Sequence, residues 1–304
     1  MSSDQYIIVG LGELLWDVLP GGLQLGGAPA NSAYHAAALG DRGIIASRVG
    51  NDELGREALR RLMKLGLKTV HVQIDIERPT GTVLVQVDEK GQPDFTITED
   101  VAWDFLEWTL QWQALAAEAD AVCFGSLAQR SPHSRDTIRR FLQSTRSDCL
   151  RMFDVNLRQV FYSAEILSES LQWAKLVKLN DEELPRVVEI LDLRGRSDKV
   201  CARQLIQAFD LDLVCVTRGA RGSLLVTETD IVEHPGFQVT VADAVGAGDA
   251  FTAALVHHYL RKAPLETISE AATQLGSWVA TQVGATPAVD PHILKHIIGD
   301  TQEQ

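Results

Sequence analysis

The chain has 304 residues, 45% of them hydrophobic and 23% charged, and 28 basic against 41 acidic side chains give a net charge of −13. It is long enough to bury a real core, in one large α/β domain or two smaller ones, and too apolar to be disordered. The acidic surplus argues against nucleic acid or an anionic membrane as partner, since both need a basic field, but it does not exclude a small anion held in a local pocket.

In chain order, Tyr6–Leu11 is an apolar run rich in β-branched residues, the pattern of a strand buried on both faces. Leu14–Pro20 reads as more strand, and Pro29–Leu39 as a helix opened by proline and stopped by Gly40. His71–Ile76 and Thr82–Asp88 alternate apolar and polar, and the turn Asp88–Asp94 leads into Phe95–Thr98 with no helix between. This predicts a small antiparallel sheet with one wet face, serving as a flap over a ligand site or a dimer surface. Ala121–Phe124, Leu150–Val155, Lys175–Leu179 and Leu213–Thr217 are further buried strands, with helices such as Ser134–Gln143 and Lys199–Phe209 between them. Strands separated by helices indicate right-handed βαβ units and a mainly parallel sheet covered on both faces. No repeat or low-complexity linker interrupts the series, and the tail Asp300–Gln304 is expected to fray.

Cys123, Cys149, Cys201 and Cys215 stand far apart with no CxxC pair, and no apolar run approaches the roughly 18 to 20 residues of a membrane span. Asp4 stands where a signal peptide would carry a basic residue, so a cytoplasmic location is expected.

Ligands of open parallel sheets bind beyond the carboxyl ends of the strands. Gly125-Ser126, Asp154–Arg158, Asn180–Glu183 and Thr217–Ala220 all follow predicted strands, which points to one crevice. The strongest segment is Asp243–Phe251, DAVGAGDAF, running into a helical stretch. Gly246, Ala247 and Gly248 let a ligand approach the backbone where the helix begins, and the free amides and helix dipole there suit phosphate. Asp249, in the first turn, could take a proton from an attacking hydroxyl, or could simply cap the helix. A second cluster, LGGAPANS, combines the close approach allowed by Gly26 and Gly27 with the Asn31 amide, suited to a polyol. Asp17 is either a solvated strand-end acid or a receptor for sugar hydroxyls. Asn180 and Glu183 form the spacing of a capping box and, alternatively, an outer shell for magnesium. Arg218 is a phosphate contact or a surface charge. The eight histidines show no metal-ligand spacing, a P-loop is absent, and Leu15 breaks the glycine pattern of a dinucleotide fold.

LGGAPANSAYHAAALG followed by VGNDELG resembles the N-terminal signature of the ribokinase-like PfkB carbohydrate kinases, and DAVGAGDAFTAAL resembles their C-terminal signature. FDVNLR, KLNDEEL and VTRGARGSLL fall between in the family's order. The resemblance implies a three-layer α/β/α sandwich with a mainly parallel central sheet and an antiparallel β-sheet lid. It divides the chain into an α/β kinase domain of residues 1–12, 27–70 and 104–304 and a lid of residues 13–26 and 71–103. It implies ATP-dependent phosphorylation of a sugar, with Asp249 as base and Gly246, Ala247 and Gly248 as anion hole. Sugar binding falls to Asp17, Gly26, Gly27 and Asn31, with Arg158 the one candidate cation for an acidic sugar. Asn180 and Glu183 organise magnesium and phosphate, Glu183 through water. Thr217, Arg218, Gly219 and Gly222 form the nucleotide-phosphate loop, and Gly284 and Ala285 border the adenine. Asp243 matches a potassium position, although Ala244 replaces the usual threonine beside it. GGAPAN and GELLWD look most like the fructokinase branch, with lid residues such as Phe95 and Trp103 expected to set specificity. Kinases of ribose, 2-keto-3-deoxygluconate or nucleosides, and a catalytically silent sugar-binding regulator, remain alternatives. Two chains are expected to pair through the lid.

Overall fold

The structure is a computed structural model that describes residues 5–19, 21–87 and 93–298. Asp4, the Asp88–Gln92 part of the predicted turn and the tail 300–304 lie outside the described residues. Strand β1 (Ile7–Leu11) leads into a hairpin, β2 (Leu15–Leu19) and β3 (Gly22–Gly26), followed by α1 (Ala28–Ala38), β4 (Arg42–Gly50) and α2 (Glu53–Lys64). Then come β5 (Val72–Asp75), β6 (Gly81–Val87), β7 (Pro93–Ile97), α3 (Leu110–Glu118), β8 (Ala121–Gly125), α4 (Pro132–Gln143) and β9 (Leu150–Asp154). The second half contains α5 (Ala164–Trp173), β10 (Leu176–Asn180), α6 (Glu183–Ile190), α7 (Asp198–Phe209), β11 (Leu213–Thr217), β12 (Ser223–Val226) and β13 (Ile231–His234). It closes with α8 (Ala247–Leu260), α9 (Leu265–Ala280) and α10 (Pro291–Ile298).

The large sheet has the order β13-β12-β11-β10-β9-β8-β1-β4-β5. It is parallel from β11 to β5, and β12 and β13 are antiparallel. Alternation along β1 shows why it is covered twice. Val9 and Leu11 pack in one apolar cluster with residues of α3 to α7, while Ile8 packs in another with α8 and α9. This is the expected three-layer α/β/α arrangement. Close approach of α1 to β1 depends on Gly10, where a β-carbon would stand 1.9 Å from the Pro29 carbonyl oxygen. That contact delivers the first turn of α1, with Asn31, to the end of β1.

The small sheet has the order β3-β2-β6-β7. Its outer pairs are antiparallel, but β2 and β6 run parallel at its centre. His71–Ile76 does not belong to it. β5 pairs parallel with β4 at the edge of the large sheet, Ser47 opposite Val72. The physical reason is the buried Asp75, which binds the Arg48 guanidinium at 3.0 Å and accepts the amides of Glu77 and Arg78. Alternation reports that a strand is covered on one side, not which sheet it joins. Trp103 is also corrected. It lies in a single 3-10 turn, Ala102–Phe105, fully buried with the Arg130 guanidinium 4.1 Å over its ring, so it is core and lines no sugar pocket. All four cysteines are free and buried, and no described helix is long and apolar enough to cross a membrane.

Candidate active site

The chain leaves β1 first toward β4 and later returns on its other side at β8, so the topological switch lies between β1 and β8. Glu13, Gly125-Ser126, Asp154–Arg158, Asn180–Glu183 and Thr217–Gly222 lie at or just beyond the carboxyl ends of β1, β8, β9, β10 and β11. The first turn of α8 faces the same crevice, through Asp249 and its partners on α1 and β9.

Helix α8 opens with Gly246 in the left-handed region, φ 78°, and no side chain caps its amides. Side-chain caps elsewhere, such as Asp52 on Gly55 and Ser163 on Ile166, take up the amides that α8 leaves free. Asp249 sits in this first turn, 8% exposed, and its Oδ2 accepts a hydrogen bond from Asn31 Nδ2 at 2.7 Å. Burial, and then the neighbouring Asp154, push its pKa up to about 6, while Lys178, Asn31 and Arg158 pull it down. A carboxylate poised this way can accept a proton near neutral pH.

Three buried groups beside Asp249 escaped the sequence reading as site residues. Lys178 on β10 binds both Asp154 carboxylate oxygens at 3.0 Å, and Thr252 donates to Asp154 Oδ2 at 2.8 Å. A lysine in the middle of an apolar parallel strand was the available signal, because such a charge needs a partner. Glu13 is the third. It is 5% exposed, its Oε2 has no hydrogen-bond partner among the described residues, and burial raises its pKa to about 7, with Asp249 adding to the rise.

On the lid side, Asp17 on β2 lies against Gly26, where a β-carbon would be 2.6 Å from Asp17 Oδ2. Its pKa is raised to about 6 by burial, with Arg158 lowering and Asp243 raising it. Gly27 packs on the Glu13 carbonyl, 2.4 Å from where its β-carbon would be. Arg158 is exposed beyond β9, its guanidinium bonded only within its own loop to Leu157 O and Asn156 Oδ1 among the described residues. Its charge acts on Glu13, Asp17 and Asp249 together.

Asn180 and Glu183 form the capping box. Asn180 Oδ1 accepts the Glu182 and Glu183 amides, and Glu183 accepts the Asn180 amide with one oxygen and the Leu157 amide with the other. Both Glu183 carboxylate oxygens are thus held by backbone amides, which fixes the loop between β10 and α6. No group of three His, Cys, Asp or Glu suited to a metal occurs among the described residues. The Arg218 guanidinium is bound to Asp198 at 3.0 Å and Glu233 at 2.7 Å, bracing α7 against β13. Around it, Thr217 ends β11, Gly219 and Gly222 have φ of 55° and 79°, and the Gly222 carbonyl accepts the Arg218 amide.

Asp243 accepts the Val245 amide with one oxygen and the Gly284 amide with the other, tying the turn before α8 to residue 284. Ala285 lies under Gly246, and His35 on α1 meets its carbonyl at 2.9 Å. Burial lowers the His35 pKa to about 4, so a neutral ring donates there. An open cavity of about 380 Å³ beside Gly284 and Ala285 is bounded by Gln24 and Leu25 of β3 and by Arg61 and Lys64 of α2. None of residues 217–222 lines it.

The pattern that defines the pfkB family carbohydrate kinase matches residues 12–292. An uncharacterized sugar kinase of Pyrococcus horikoshii is 30% identical over 280 residues, 86% of this chain and 85% of the relative. Its structure in complex with ATP superposes with a TM-score of 0.76 at 29% identity, over 92% of this chain and 94% of that one. The fructokinase of Salmonella typhimurium is 32% identical over 258 residues, 81% of this chain and 82% of the relative. A double mutant of the fructokinase of Vibrio cholerae, solved with fructose, ADP and potassium ion, superposes with a TM-score of 0.79 at 25% identity, over 97% and 98%.

Proposed function

The chain belongs to the pfkB family of carbohydrate kinases, and we propose that it transfers the γ-phosphoryl group of ATP to a primary hydroxyl of fructose. The observation that carries the mechanism is the Asp249 carboxylate, held by Asn31 at 2.7 Å on the first turn of a helix whose leading amides are uncapped. In this reading the sugar hydroxyl gives its proton to Asp249 as its oxygen forms a bond to the γ-phosphorus. The bond from phosphorus to the β–γ bridging oxygen breaks, and that oxygen leaves with ADP. The amides of the Gly246–Gly248 turn receive the charge on the transferring group without having to reorganise. Asp17 and Asn31, on either side of Gly26-Gly27, orient the sugar.

Magnesium bound with ATP would neutralise the phosphates, with Asn180 and Glu183 ordering the loop that meets its water shell. Asp243, which braces Val245 and Gly284, is the position at which potassium would steady the turn. The fructokinase relatives support fructose as acceptor. The exposed Arg158 favours a second reading, an acidic keto sugar whose carboxylate it would bind.

A coupled ADP-release assay over fructose, ribose, 2-keto-3-deoxygluconate and nucleosides tests the proposal. Fructose is expected to give a kcat/KM at least about tenfold above the others, the size of difference that one or two sugar contacts supply. Activity should require magnesium and fall when potassium is exchanged for a bulky organic cation. Preference for the acid, lost in Arg158→Ala, would replace fructose by the second reading, and sugar binding without ADP release would remove catalysis altogether.

We also read the small sheet as a pairing surface, since β3 and β7 are its edge strands and Leu23 and Leu84 are 39% and 40% exposed. A dimeric mass is expected at micromolar concentration. A monomeric one contradicts this assignment.

A further inference from the structure

Lys178 occupies the centre of β10, with Val177 and Leu179 fully buried on either side and itself 4% exposed. Its partner Asp154 stands directly opposite in register on β9. Burying two charges this way costs several kcal/mol before pairing returns it, and an apolar pair in the same two positions would serve the sheet at least as well. The fold does not account for the pair.

Its placement does. A β-carbon on Gly248 would stand 2.8 Å from Lys178 Nζ, so the ammonium lies against the backbone of the residue just before Asp249. Thr252, one turn further along α8 from Asp249, donates to Asp154 Oδ2 at 2.8 Å and locks the pair to the helix that carries the base. The groups acting on Asp249 come from several elements: Asn31 on α1, Asp154 on β9, Arg158 beyond it, Lys178 on β10 and Glu13 beyond β1. Glu183 on α6 acts on Lys178 in turn. Without the ammonium, Asp154 and Asp249 would be two buried like charges acting on each other uncompensated.

We propose that Lys178, fixed by Asp154 and Thr252 beneath Gly248, is a positioning residue for phosphoryl transfer that keeps Asp249 an ionised, open carboxylate at the head of α8. This rests on the reading of Asp249 as base. Lys178 binds Asp154 and lies beside Gly248, so it acts through Asp249 and the turn.

The test is the acid limb of the pH dependence of kcat/KM in Lys178→Met and Asp154→Asn. Removing the cation moves the limb up by about one pH unit, and removing the anion moves it down, because opposite and like charges at this range shift a carboxylate in opposite directions. Lys178→Arg, which keeps the charge, leaves the limb near its wild-type position. The sugar KM changes less than about threefold in each. A pair that only holds the sheet together would lower the melting temperature of both variants and leave the limb unmoved, or move it the same way in both, and either result overturns the proposal. Should one variant fail to fold, the direction in the other decides. The two readings fail separately: Asp249→Asn at wild-type rate removes the base itself, whereas an inactive Asp249→Asn with unshifted limbs in the pair variants removes only the role of Lys178.

Discussion

Asp249→Asn is expected to lower kcat about a thousandfold while leaving sugar affinity within about threefold, as read by ADP release and by calorimetric titration of the sugar. The amide has the shape of the carboxylate and can still meet Asn31, but it cannot take a proton. In the wild-type enzyme the same chemistry sets a pH limit. The base works only when ionised, and burial with Asp154 nearby holds its pKa to about 6, so kcat/KM should fall about tenfold per pH unit below that value. Stability runs the other way. A carboxyl whose folded pKa is raised from 3.8 to about 6 costs nothing below the lower value, and the cost grows between the two and is complete above the upper one. Asp249→Asn should therefore be at least as stable as wild type at pH 7.5, by an amount bounded at about 3 kcal/mol. An Asp249→Asn protein that phosphorylates sugar at the wild-type rate would remove Asp249 from the mechanism.

Gly246→Ala should lose both activity and stability. A β-carbon at this position would lie 2.5 Å from Ala285 Cα and 2.7 Å from its carbonyl oxygen, and φ is 78°. The contact is with backbone, so no side-chain rotation relieves it, and the left-handed conformation adds about 1–2 kcal/mol for any residue with a β-carbon. Either the head of α8 or the segment around Ala285 must move, and both carry the geometry proposed for catalysis. We expect kcat to drop about a hundredfold and the melting temperature to fall by about 5–10 °C. The contrast with Asp249→Asn is diagnostic. One variant loses chemistry with its fold intact, and the other loses chemistry because its fold is displaced. A Gly246→Ala protein with wild-type rate and melting temperature would show that the turn has room the structure does not give it.

Much of the fold was legible in local pattern. β1, β8, β9, β10 and β11 announce themselves as short apolar runs because strands covered on both faces have no wet side to alternate with. Family membership was legible in two glycine-containing segments, since a backbone that must approach a ligand tolerates few residue types. The small sheet was only partly legible. His71–Ile76 alternates as a lid strand would, yet Asp75 binds Arg48 and holds the strand to the edge of the large sheet. Trp103, expected among the lid residues that set specificity, is wholly buried beneath Arg130.

Charge is where local reading ran out. Arg218 follows a strand among glycines, a setting that suits phosphate, and only the fold reveals Asp198 and Glu233 on either side of it. Glu13 and Lys178 carry no motif strong enough to nominate them, yet with Asp154 on β9 they act around Asp249, Glu13 from the loop after β1 and Lys178 from β10. The alternation of strands and helices, the bulk-free glycine turn at the head of α8 and the family could all be read locally, because each depends on neighbours a few residues apart. Tertiary structure alone decided which ionisable groups face one another across gaps of 24 to 218 residues, from Lys178 with Asp154 to Asn31 with Asp249. A buried charge takes its protonation from whatever the fold brings within a few ångströms, and no local pattern encodes that.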